Sequence, residues 1–351
     1  MTTLAHFDAP ELLSPPVKRA AYSDRTAWLM AEMSRLAYDK FEGGRSLKSL
    51  AESLAKIKED NETKIVGLLK EYIENVGISA ASAKQELIEQ LAKANFSLLG
   101  VYNKKGTQAF LAKLDAVEGT EPMLILAFRG TEAELADVKA DLKADLFVVS
   151  GEQKVHHGFY DAFNAVKPEI ESDLAEHPGV PIYLTGHSLG GALAIVATKF
   201  LASDSLGACY TFGGPRVGNS LFSDDIKTPI YRIVNAADGV PLVPPSWGVD
   251  VFLAVLKWLP LPLDPVIAFL KKFRGYVHYG DMRYLSHTSQ TPDATGIAYS
   301  GLRLLPNPSL PLRLTWAVSR WVATRGKAAA QDHSIVIYCE KLMAHAKRRN
   351  R

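Results

Sequence analysis

Cysteine is scarce in this 351-residue chain: Cys209 and Cys339 stand alone, each in an apolar setting, with no CxxC pair and no Cys/His cluster. That argues against a disulfide framework and against a zinc site, and both thiols are expected to be buried and reduced. An excess of charge of one sign is also lacking. The formal net charge of +2 is too small to imply nucleic acid as a partner. No uninterrupted apolar run reaches the ~20 residues of a transmembrane span. The opening residues "MTTLAHFDAPELLSPPVKRA" have no basic start followed by an apolar core, so no secretory signal peptide is visible. The expected location is cytoplasmic, with export by a route independent of a signal peptide as the alternative.

What is present fits a globular chain: 47% hydrophobic and 22% charged residues, enough to bury a large core. Residues 1–22 read as an irregular leader, and 23–351 as a single domain. The spacing of Trp28, Leu29, Met33, Leu36 and Ala37 predicts a helix over 23–41, with Ser23 or Asp24 as its N-cap. Over 47–95, leucines three and four apart among charges of both signs predict a helical insertion of two or three amphipathic helices. From "MLILAF" (123–128) onward the pattern alternates: "PIYLTG", "GACYTFGG" and "PIYRIVNAAD" read as strands, while "FYDAFNAVKPEIESDLAEH" and "LGGALAIVATKFLA" read as helices. Strands separated by helices indicate an α/β fold, a mainly parallel central sheet with helices on both faces.

One motif carries chemistry. "GHSLG" (186–190) is a G-x-S-x-G sequence with a predicted strand before it and a predicted helix after it. Such a serine sits on a sharp turn, and Gly186 and Gly190 remove side chains where strand and helix come closest. The turn also places the backbone N–H of Leu189 at a helix N-terminus, facing a negative charge formed on a substrate oxygen. Serine needs a base, and the base needs an acid to orient it. Among downstream acids, Asp238 lies at the carboxyl end of the "YRIVN" strand, whereas Asp224 and Asp225 sit in a polar stretch. Of the later histidines, His333, in a loop before an apolar helix, is favoured, and His278 is its rival.

These blocks resemble the class 3 lipases, the family of filamentous-fungal triacylglycerol lipases and their bacterial relatives. The resemblance rests on "TQAFLA" (107–112), "LILAFRGTE" (124–132), "VHHGFYDAF" (155–163), "YLTGHSLGGALA" (183–194), "YTFGGPRVGN" (210–219), "IVNAADGVPLVPP" (233–245), "YVHYGDMRYL" (276–285) and "DHSIVIY" (332–338). It implies the α/β-hydrolase fold and a Ser188–His333–Asp238 triad with no metal or cofactor. It assigns His278 to a structural element and the oxyanion hole to Thr131 with Leu189. Thr131 also reads as the N-cap of "EAELADVKADL", with Glu134 completing a capping box. The implied activity is hydrolysis of lipid esters, triacylglycerol first. Phospholipase A1 and a general carboxylesterase are the alternatives, and a non-catalytic lipid-binding protein is a further one. Asp137 is followed by Val138 where the family commonly carries Asp-Trp.

Lipid esters sit in aggregates, so contact with a lipid droplet or membrane surface is expected. "GVDVFLAVLKWLPLPLDPVIAFLKKF" (248–273), broken by Pro260, Pro262 and Pro265, reads as a lid or interfacial segment. From Val266 to Gln331 there are nine Lys/Arg against two acids. Within that stretch, "RLTWAVSRWVATRGK" (313–327) reads either as a boundary helix for an anionic bilayer or as an ordinary basic helix. The tail "AHAKRRNR" reads as a solvated end.

Overall fold

The computed structural model describes residues 5–13, 21–39, 65–66, 80–116, 121–130, 146–203, 205–243, 275–325 and 327–349. Its strands are β1 (Phe96–Lys104), β2 (Thr107–Leu114), β3 (Met123–Phe128), β4 (Leu146–Ser150), β5 (Gln153–His156), β6 (Ile182–His187), β7 (Leu206–Phe212), β8 (Ile230–Asn235), β9 (Asp281–Leu285) and β10 (Leu304–Pro306). Its helices are α1 (Asp24–Leu36), α2 (Ala80–Ala92), α3 (His157–Ala175), α4 (Leu189–Phe200), α5 (Ser220–Ser223), α6 (Leu310–Ala323), α7 (Ala328–Gln331) and α8 (Ile335–Arg349). Among the described residues, eight strands form one sheet in the order β1-β2-β3-β6-β7-β8-β9-β10, and β4 and β5 form a separate hairpin. The pairs from β3 to β9 are parallel, whereas β1–β2, β2–β3 and β9–β10 are antiparallel. A parallel centre with the serine elbow between β6 and α4 is the α/β-hydrolase arrangement expected above.

Both faces of the sheet are covered, which is why its central strands read as continuous apolar runs. Along β3, Met123, Ile125 and Ala127 join the core under α1 and α8, beside Trp28, Leu29, Met33, Tyr338 and Leu342. The alternate residues Leu124, Leu126 and Phe128 join the opposite core under α3 and α4, beside Phe163, Val166, Ile170 and Ala194. Pro168 lies inside α3 without ending it. The buried Val166 and Ile170 flank it, so packing outweighs the one backbone hydrogen bond that proline forfeits.

Ser23 caps α1, accepting a bond from the Thr26 N–H at 3.3 Å, and the helix stops at Leu36, short of the expected Phe41. The N-terminal residues are less irregular than their prolines suggest. Residues 10–12 form a 3-10 turn, and Phe7, Ala9 and Leu12 are buried in the core beneath α1. The C-terminal tail also departs from expectation. α8 runs to Arg349, and Lys347, Arg348 and Arg349 pair with Glu11, Asp293 and Asp24. Both cysteines are buried and free. Of the insertion expected over 47–95, α2 and the helical pair at 65–66 are described, and 47–64 and 67–79 lie outside the described residues. The interfacial stretch 248–273 lies wholly outside them.

Register sets up the site. Gly186 pairs with Thr211, Phe212 with Ile233, and Asn235 with Leu285, so the parallel strands end nearly level. Ser188, Gly213 and Asp238 therefore follow adjacent strand ends at one edge of the sheet, where ligands bind in open α/β folds.

Candidate active site

Ser188 has φ 56° and ψ −128°, a strained conformation for a residue with a side chain, and its N–H donates to the Phe212 carbonyl at 2.9 Å. The flanking glycines are required by space. A Cβ on Gly186 would lie 2.2 Å from the Gly190 carbonyl carbon, and one on Gly190 would lie 2.3 Å from the Phe128 carbonyl oxygen. Both obstacles are backbone and cannot swing aside. Gly190→Ala is accordingly expected to destabilise the protein by about 3 kcal/mol, measured as a lowered urea midpoint. A midpoint equal to wild type would mean the elbow is looser than this packing implies.

Asp238 and His333 lie side by side in the fold. His333 Nδ1 lies 3.0 Å from each carboxylate oxygen of Asp238. Since a carboxylate only accepts, Nδ1 carries the proton, and the Nε2 lone pair is left to act as a base. Asp238 is held from two further sides: the Val240 N–H donates to Oδ1 at 2.9 Å, and the Tyr338 hydroxyl donates to Oδ2 at 2.6 Å. Tyr338 in turn accepts from the Asn235 N–H at 2.9 Å. Burial, then the Asp238 charge, raise the Tyr338 pKa well above its ordinary value, so the phenol remains a donor. Gly213, with φ 58°, leaves room for this cluster: a Cβ there would lie 2.4 Å from Asp238 Oδ2 and 3.0 Å from His333 Nδ1.

The residue before Ser188 adjoins this pair. The His187 ring packs against the His333 ring, 4.5 Å between centroids. His187 Nε2 donates to the His333 backbone carbonyl at 2.7 Å, and the Tyr38 hydroxyl donates to Nδ1 at 2.8 Å. Ser188 Oγ is buried and has no hydrogen-bond partner among the described residues, so its bonding capacity is unspent. Gly130, two residues past the end of β3, lies against the elbow: a Cβ on it would be 3.2 Å from Ser188 Cβ. Thr131 and its helix-capping role fall outside the described residues. Leu189 is the first residue of α4, where helical N–H groups have no intrahelical acceptor. The rival His278 has a structural post, its Nε2 donating to the Pro241 carbonyl at 2.6 Å.

His187, Tyr338 and Tyr38 were not singled out by sequence. His187 occupies a free position of G-x-S-x-G, and Tyr338 lies in a block quoted for its resemblance without a role. His187 has a consequence for stability. Burial, then the neighbouring His333, hold its pKa well below 6.5 in the folded protein, whereas the unfolded side chain titrates near 6.5. The unfolded state therefore binds the extra proton first as pH falls. This penalty is absent well above pH 6.5 and grows below it, approaching about 1.4 kcal/mol per pH unit. His187→Asn is expected to flatten the loss of stability between pH 7 and 5 in urea titrations. An unchanged slope would contradict the assignment.

Residues 125–247 match the family described as Lipase (class 3). A lipase of Rhizopus niveus is 36% identical over 152 residues, covering 39% of this chain and 38% of that protein. Secreted mono- and diacylglycerol lipase 1 of Fusarium solani is 37% identical over 99 residues, covering 26% and 30%. Among solved structures, the Rhizomucor miehei lipase propeptide complex is similar at 25% identity and TM-score 0.43, over 57% of this chain and 60% of that one. The chain thus spans well under half the length of the curated relatives it matches. The Fusarium protein is named as secreted, which lends no support to a cytoplasmic placement of this chain. Residues 125–247, which hold the strand–elbow–helix at Ser188, are thus similar to the class 3 lipase family over about a third of the chain.

Proposed function

We propose that the chain is a serine carboxylic-ester hydrolase acting on lipid esters, with Ser188 as nucleophile, His333 as base and Asp238 as the acid that orients it. The observation carrying this reading is the His333–Asp238 pair at 3.0 Å, set beside a strained serine elbow at the same sheet edge. In the reaction, Ser188 Oγ attacks the ester carbonyl and its proton passes to His333 Nε2. The oxyanion rests on the Leu189 N–H and on Thr131, a role taken over from the family resemblance. One such donor is worth about 3–4 kcal/mol of barrier in other hydrolases. Collapse of the tetrahedral intermediate breaks the ester C–O bond, and the alcohol leaves with the proton from His333. Water then loses a proton to His333, attacks the acyl-enzyme and releases the fatty acid.

Triacylglycerol is the substrate proposed first. Phospholipase A1 action is a second reading, favoured by the nine basic against two acidic residues between Val266 and Gln331. A panel of short p-nitrophenyl esters, triacylglycerol emulsion and phosphatidylglycerol vesicles separates them. The expected order of rates places the emulsion above the vesicles; the reverse order would replace the first reading by the second. Hydrolysis of none of the three would overturn both.

A further inference from the structure

Helix α6 is built inside out. A surface helix ordinarily turns its apolar side inward and its cations to water. In α6, Arg320 points inward and makes two hydrogen bonds to Asp332, at 2.9 and 2.8 Å. Trp316 also faces inward, stacked on Tyr284 at 5.6 Å between centroids. Leu314, Val318, Trp321 and Val322, spaced by four, three and one, share the outer face, and the last three are 58%, 58% and 64% exposed. No residue of the helix is buried. Isolated apolar side chains on a surface need no explanation, but a helical stripe of them with its arginine turned inward does.

We propose that α6 is a docking helix that lays this stripe into the surface of an anionic lipid bilayer. Three observations favour that occupant. From Ser309 to Gln331 there is no acidic residue, and Arg325 and Lys327 are exposed just past the helix end, so the rim of the stripe is positive. A second copy would bring the same positive rim against itself. The stripe follows one helix rather than a cavity, as suits shallow insertion in the plane of a headgroup layer. The helix is also tied to the candidate site. Asp332, which holds Arg320, precedes His333, and its Oδ2 accepts the Ala237 N–H at 3.0 Å beside Asp238. Docking through α6 would seat the triad edge against the aggregate that holds the ester. The choice of lipid as occupant rests on the hydrolase reading, but the surface can be tested apart from it.

The test is cosedimentation with vesicles of phosphatidylcholine and phosphatidylglycerol in equal parts, in the Ser188→Ala background so that no lipid is consumed. The V318D/V322D double variant is expected to bind roughly tenfold less or weaker still. Pure phosphatidylcholine vesicles are expected to bind less than the mixed ones. With Ser188 intact, the double variant is expected to hydrolyse a soluble short ester at the wild-type rate, which verifies its fold. Unchanged binding by the folded double variant would overturn the proposal. So would absence of wild-type binding together with a dimer in light scattering that the double variant abolishes, since the stripe would then be a self-interface. Should no ester be hydrolysed at all, the binding comparison still decides the docking role, because it does not depend on turnover.

Discussion

Ser188→Ala is expected to lower ester hydrolysis by about 10⁶-fold, because removing a serine-hydrolase nucleophile disables the whole catalytic unit. The structure makes this a clean experiment. Ser188 Oγ has no hydrogen-bond partner among the described residues, so its removal strands no donor or acceptor. The strained backbone at φ 56° is imposed by the β6–α4 turn, and alanine can adopt it at a cost similar to serine. Thermal unfolding should therefore match wild type while turnover disappears. Because the residues act as one unit, Ser188→Ala combined with His333→Ala should be no slower than Ser188→Ala alone. Wild-type turnover in a folded Ser188→Ala protein would remove the nucleophile from the account and leave a lipid-binding scaffold as the better reading.

The second large effect belongs to Asp238→Asn, expected to lower turnover by about 10⁴-fold. The carboxylate sits among donors: His333 Nδ1–H, the Val240 N–H and the Tyr338 hydroxyl. An amide NH₂ placed toward Oδ1 would face the Val240 N–H. Placed toward Oδ2, it would face the hydroxyl of Tyr338, whose oxygen already accepts from Asn235. Either way the pressure is relieved most directly if His333 moves its proton to Nε2 and accepts at Nδ1, and a base protonated at Nε2 cannot take the serine proton. Turnover close to wild type would show that Asp238 does not set the tautomer.

The elbow was legible because its chemistry is local: two glycines, a serine, a strand before and a helix after. The strand preceding Asp238 was legible for a similar reason, as an apolar run closed by a polar turn. The choice between His333 and His278 was not local. Spacing left both open, the family resemblance favoured His333, and the geometry now explains the other, since the His278 ring is spent on the Pro241 carbonyl. The antiparallel strands β1 and β10 were not expected, because the first is interrupted by Gly100 and the second is three residues long. The basic tail looked solvated because its partners Glu11, Asp24 and Asp293 are distant in sequence. His187 and Tyr338 support the site through contacts spanning about a hundred residues or more, which no local window reveals.

The central claim is that residue 188 is a nucleophile activated by residue 333. Its most direct test is covalent capture: the full chain is treated with a fluorophosphonate, then weighed intact and mapped by peptide mass. A single adduct on Ser188, formed rapidly in wild type and lost in His333→Ala, is the expected result. A protein that stays unmodified, or one labelled at a different serine, would contradict it.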